Sequence, residues 1–134
     1  MTDSQTLRGD LKRRVDAIEA GYEFMLAYAA QGLPGDQQSQ AGGQLRDFLG
    51  RFDEALTGIS TLYRDLLTAE QPDRQAAYAD FLEVLARDAA AAQSGLRLVL
   101  AQPSISSQLV DNLNASIHVR ALLTDIFLID EMLK

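Results

Sequence analysis

The sequence predicts an all-α fold, an antiparallel up-down-up-down four-helix bundle, and three observations carry that prediction. Apolar residues recur every three or four positions through four long stretches; only three prolines occur, and each stands between those stretches; there is neither an internal repeat nor a βαβ alternation. The 134 residues fit one domain spanning 1–134. At that size folding removes roughly two thirds of the unfolded surface from water, so a conventional core suffices without disulfides or metal.

The first helix is expected over about 4–31, with Leu7, Leu11, Val15, Ile18, Tyr22, Met25 and Ala29 on one face. Gly32-Leu33-Pro34-Gly35-Asp36 stops it, because glycine takes a left-handed cap and proline cannot continue a helix. The polar stretch 37–43 is either a loose loop or the frayed start of the second helix. That helix is expected over about 44–68, burying Leu45, Phe48, Phe52, Leu56, Ile59, Tyr63 and Leu66. Gly50 and Gly58 weaken it, so tertiary packing must hold it. Pro72 suits the first position of a third helix over about 72–101, and Asp73 suits the positive end of its dipole. Tyr78, Phe81, Leu85, Ala89, Ala92, Leu96 and Val99 face inward, and Ala89-Ala90-Ala91-Ala92 allows a close neighbour. Pro103 ends this segment, and Ser104 or Ser106 caps a fourth helix over about 104–133. Such helices are each roughly 40 Å long, and their short connections imply antiparallel neighbours.

The fourth helix carries more apolar surface than one buried face requires: 15 of the 25 residues from 109 to 133 are apolar. Projected as one continuous helix, Ala115, Val119, Leu122, Ile126, Ile129 and Leu133 form a core stripe flanked by Leu123 and Phe127. Val110, Ile117, Ala121 and Leu128, with Met132 at the edge, form a second stripe more than about 100° away. A helix apolar on two sides is shared between its own core and a partner, and the simplest partner is its own copy across a two-fold axis. The alternative is one wide face, with Ile117 and Leu128 at its boundary. Asn114 and Thr124 interrupt the second stripe, which leaves room for a smaller or heterotypic contact.

Composition excludes much chemistry. With no Cys there is no thiolate zinc site, iron–sulfur cluster, thiol nucleophile or covalently attached c-type haem. A net charge of −7 opposes binding to phosphate backbones and anionic lipids. The single His118 shares a side of the projected helix with Asp111, Asn114 and Asp125. A nearby carboxylate would suit it to phospho-acceptance, a pH-sensitive contact or one ligand of a weak metal site. Histidine phosphotransfer bundles also expose one His, but follow it with Lys-Gly, whereas here His118-Val119-Arg120-Ala121 stands. An ordinary, partly exposed polar residue is the better account.

Asp16, Glu19 and Glu23 lie on one side of the first helix, yet a di-iron bundle needs two Glu-x-x-His pairs, and Ala115 stands three before the sole His. A solvated acidic face explains them. Met25 falls near the wrong end of the bundle to ligate haem with His118. The serines 104, 106 and 107 read as caps, Gly42-Gly43 is no phosphate loop, and the aromatic residues lie on core stripes. Arg8, Lys12, Arg13 and Arg14 oppose the dipole of the first helix, so compensation by Asp125, Asp130 and Glu131 of the last helix is expected. The alternative is a small patch that recruits an acidic partner.

These readings predict a non-enzymatic interaction protein (an adaptor, chaperone or regulatory subunit) without cofactor, metal or catalytic residues. Its partner is a second copy or another protein, not nucleic acid or membrane. The alternative is a ligand-sensing or phosphorelay bundle using His118 or an interhelical cavity, and a metal-carboxylate enzyme comes third. Met1–Asp10 is polar and leads into Lys12-Arg13-Arg14 rather than an apolar leader, and no apolar run approaches a membrane span, so a soluble cytoplasmic protein is expected.

Overall fold

The structure is a computed structural model and describes residues 3–37 and 39–133. These residues form six α-helices and one short 3₁₀ turn, with no strand among them. The first is α1 (Ser4–Ala29), capped by Asp3, whose side chain accepts the Thr6 amide at 2.8 Å. That bond holds the Asp3 carboxyl below its ordinary range. Gly32 follows with φ +66°, the left-handed conformation expected after the helix.

The second expected helix is two. α2 (Gln40–Leu56) starts within the polar stretch, where the Ser39 hydroxyl accepts the Gly42 amide at 2.9 Å. It stops at Thr57, which is extended, and Gly58, at φ +72°; α3 (Ile59–Glu70) then begins. Partners from two other helices satisfy the backbone freed at this break. Arg14 donates to the carbonyls of Ala55 and Thr57, and the Gln93 amide donates to Asp53 O and Thr57 Oγ1, both at 3.0 Å.

Pro72–Arg74 forms the 3₁₀ turn that leads into α4 (Gln75–Leu100). The fourth expected helix is again two. α5 (Ser107–Ala115) is capped by Ser106, which accepts the Leu109 amide at 3.0 Å. Ser116 is extended, with φ −62° and ψ 146°, and α6 (Ile117–Met132) starts afresh. Short polar side chains favour such breaks, and here the Ser116 hydroxyl donates to Leu113 O at 2.6 Å. The fold class is therefore all-α, and the expectation of four unbroken helices is corrected to six helices among the described residues.

α1 packs on α2, α3 and α5, while α4 packs on α2, α3, α5 and α6. Long-range bonds fix the directions. Arg8 near the start of α1 donates to Leu133 O beyond α6 at 3.0 Å, and Tyr28 at its other end donates to Ile105 O ahead of α5 at 2.7 Å. The core runs the length of the molecule through Ile18, Met25, Tyr28, Leu45, Phe52, Tyr63, Leu82, Leu96, Leu122 and Ile129. Each such side chain, fully buried, contributes roughly 1.5–3 kcal/mol. At Gly21, α1 comes so close to α2 that an added Cβ would stand 2.9 Å from the Phe52 ring.

One end is tied by a polar clamp. The buried Asp36 carboxylate pairs with Arg46 Nε at 2.7 Å and accepts the Ile105 amide at 2.8 Å. Arg46 also donates to Leu100 O and Gln102 O at 2.9 and 2.7 Å. Burial acts to raise the Asp36 carboxyl, but the Arg46 and Ile105 hydrogen bonds outweigh it and hold the group below its ordinary range.

Candidate functional site: the outer face of the last helix

α6 buries Val119, Leu122, Leu123, Ile126 and Ile129, a stripe of threes and fours turned toward α4 and the core. Its opposite side stays open. Ile117 is 74% exposed, Phe127 54%, Leu128 48% and Met132 45%, and Ala121 is half-buried between them. A shallow depression on this side is lined by Ile117, Arg120, Ala121, Thr124 and Asp125. Leu26 and Leu98 are also exposed, but on other helices, and single exposed apolar residues are ordinary.

Two residues of the expected stripes are displaced. Val110 does not belong to the exposed face: it is fully buried on α5, whose inward residues are Ser107, Val110 and Leu113. Ala115, placed in the core stripe, is exposed. Both errors have one cause. The break at Ser116 interrupts the helical register, so angles projected across it do not describe the molecule. Phe127, placed beside the core, is a third correction. It sits about 110° from the centre of the buried stripe at 100° per residue, far enough to have been found from the sequence.

The same break separates the polar candidates. Asp111 on α5 and His118 on the first turn of α6 are exposed, Asn114 is half-buried, and Asp125 is buried at 8% exposure. No hydrogen bond or ion pair joins any two of these four among the described residues, and no group of three metal-ligating side chains occurs there. Asp16, Glu19 and Glu23 face solvent.

The basic cluster finds partners other than those expected. Arg8 pairs with Glu70, Lys12 with Asp16 at 3.0 Å, and Arg14 with Asp10 at 3.2 Å. Among the described residues, Arg8 also links this cluster to the end of α6 by donating to the backbone oxygen of Leu133. Asp130 instead accepts the Tyr63 hydroxyl at 2.7 Å. Burial raises the Asp130 carboxyl against the opposing effect of that bond, and burial followed by Asp130 pushes the Tyr63 phenol well above its ordinary value.

Asp125 is the unusual group beside the open face. It points into the seam between α6 and α4, where Asp88 faces it, and its Oδ2 has no hydrogen-bond partner. Burial first, then the hydrogen-bonding and charge of Asp88, push its carboxyl up to about 7. The sequence pattern points to Asp125 but not to Asp88, which sits 37 positions away on another helix. No protein-family model, curated protein or solved structure matches the chain.

Proposed function

We propose that the chain is a non-enzymatic helical interaction protein, an adaptor, chaperone or regulatory subunit of the cytoplasm, whose docking surface is the outer face of α6 and whose first partner is a second copy of itself. In this reading the six helices act as four antiparallel rods, two of them broken. The supporting observation is the 74% exposure of Ile117 on a helix that also leaves Phe127, Leu128 and Met132 open. A cluster of large apolar side chains on one helix is the usual mark of a contact surface.

The spacing favours an antiparallel self-contact. With a two-fold axis beside Thr124, Ile117 meets Met132 of the second copy, and Ala121 meets Leu128, small against large. Arg120 and Glu131 share one flank, three turns apart. Antiparallel pairing keeps that flank on one side of the interface and sets each beside the opposite charge, whereas parallel pairing carries it to the far side. α6 has 16 residues and is about 24 Å long, so its face alone covers less than the roughly 800 Å² per partner of a typical stable interface. The association is accordingly weak, in the micromolar range.

Ile117→Glu combined with Leu128→Glu should give a folded monomer by light scattering. A wild type that is monomeric at tens of micromolar removes the homotypic partner. The exposed imidazole of His118 supports a second reading, a phosphorelay or sensing bundle. His118→Ala separates the two, since an unchanged partner profile is what the docking reading requires.

A further inference from the structure

α6 is attached in an unusual way. Its helical contacts are chiefly with α4, it is separated from α5 by one extended residue, Ser116, and its seam with α4 brings together two carboxyl groups, Asp125 buried and Asp88 half-buried. Asp125 is 8% exposed, and its Oδ2 is without a partner. Ionised carboxylates only accept hydrogen bonds, so a buried Asp125 and a half-buried Asp88 can neither satisfy nor neutralise one another when both are charged. A proton on Asp125 removes both problems by turning it into a donor toward Asp88.

We propose that Asp88 and Asp125 form a proton-dependent latch: a proton held on Asp125 closes the α4–α6 seam, and its loss loosens α6 about the Ser116 break. The other charged groups near the pair are few. Arg120 lines the depression beside Asp125, and His118 lies two turns earlier on α6. Arg87 neighbours Asp88 on α4 and is exposed, and Asp111 on α5 is exposed. None of them forms an ion pair with Asp88 or Asp125 among the described residues. Asp130 lies on another side of α6, bound to Tyr63.

The direction of the effect follows from linkage. Closed, Asp125 titrates near 7; opened to water it returns toward the ordinary carboxylate value of 3.8. The closed seam therefore holds a proton that the open one releases. Its extra stability is complete below about pH 4 and is lost as pH rises through about 7. The latch does not depend on what α6 docks against.

Native-state hydrogen exchange on the full chain tests it. After correction for intrinsic exchange, protection of α6 amides should fall on the order of twentyfold between pH 5.5 and 7.5, while protection of α1 and α2 changes much less. Asp125→Asn supplies a permanent donor and should flatten the dependence, as should Asp88→Asn if the first variant misfolds. His118→Gln should leave the wild-type slope unchanged. A flat wild-type profile, an equal loss in every helix, an undiminished slope in the folded Asn variant, or flattening by His118→Gln would each overturn the latch.

Discussion

Individual side chains do two different jobs here, and the Asp36–Arg46 clamp shows the stabilising one. Arg46 satisfies a buried carboxylate and two backbone carbonyls, so Arg46→Met leaves three acceptors short and should lower stability by about 3 kcal/mol in urea unfolding. Because the Asp36 carboxyl is held below its ordinary value, its contribution is present above the unfolded pKa and fades as pH falls through the lower folded one. Asp125 behaves oppositely. Asp125→Asn should raise stability by on the order of 4 kcal/mol at pH 8, and that gain should vanish below about pH 4. Neither pair was legible in the sequence. Asp36 reads locally as part of a helix stop, and nothing in the spacing points from Asp125 to Asp88. Only the packing of distant segments reveals what each carboxylate meets.

Elements were legible wherever apolar spacing and local chemistry agreed. The expected start of α1, the Pro72 entry into α4 and the Ser106 cap of α5 all coincide with the structure, because each depends on residues within one turn. The breaks were not. Apolar spacing runs unbroken through 57–58, and of the two glycines noted there only Gly58 leaves the helix. Arg14 and Gln93, from other helices, donate to the freed carbonyls and make that break stable. Gly58→Ala places a Cβ at φ +72° and should cost about 1 kcal/mol in thermal or urea unfolding. Gly21→Val should cost about 2 kcal/mol by the same measurement, by forcing the Phe52 ring away from α1. At Ser116 the short polar residues were visible, but their effect on the register of the last helix was not drawn from them. A register carried straight through Ser116 places Val110 outside and Ala115 in the core.

For the molecule as a whole, the last third of the chain sets the functional reading. A core built on α1 to α5 and the inner side of α6 leaves Ile117, Phe127, Leu128 and Met132 in water. The excess of apolar residues near the C-terminus was legible in composition and the outward angle of Phe127 in the spacing, while the burial of Val110 and the exposure of Ala115 required the coordinates. No helix among the described residues is long and apolar enough to cross a membrane. Burying it against a second copy accounts for its size, its small-against-large spacing and the opposed charges of Arg120 and Glu131. Sedimentation across roughly 1–100 µM is the most direct measurement, since that range brackets a micromolar association. The account predicts a weight-average mass that climbs from the 14.7 kDa of one chain toward twice that value as concentration rises. A mass that stays at 14.7 kDa throughout would contradict it.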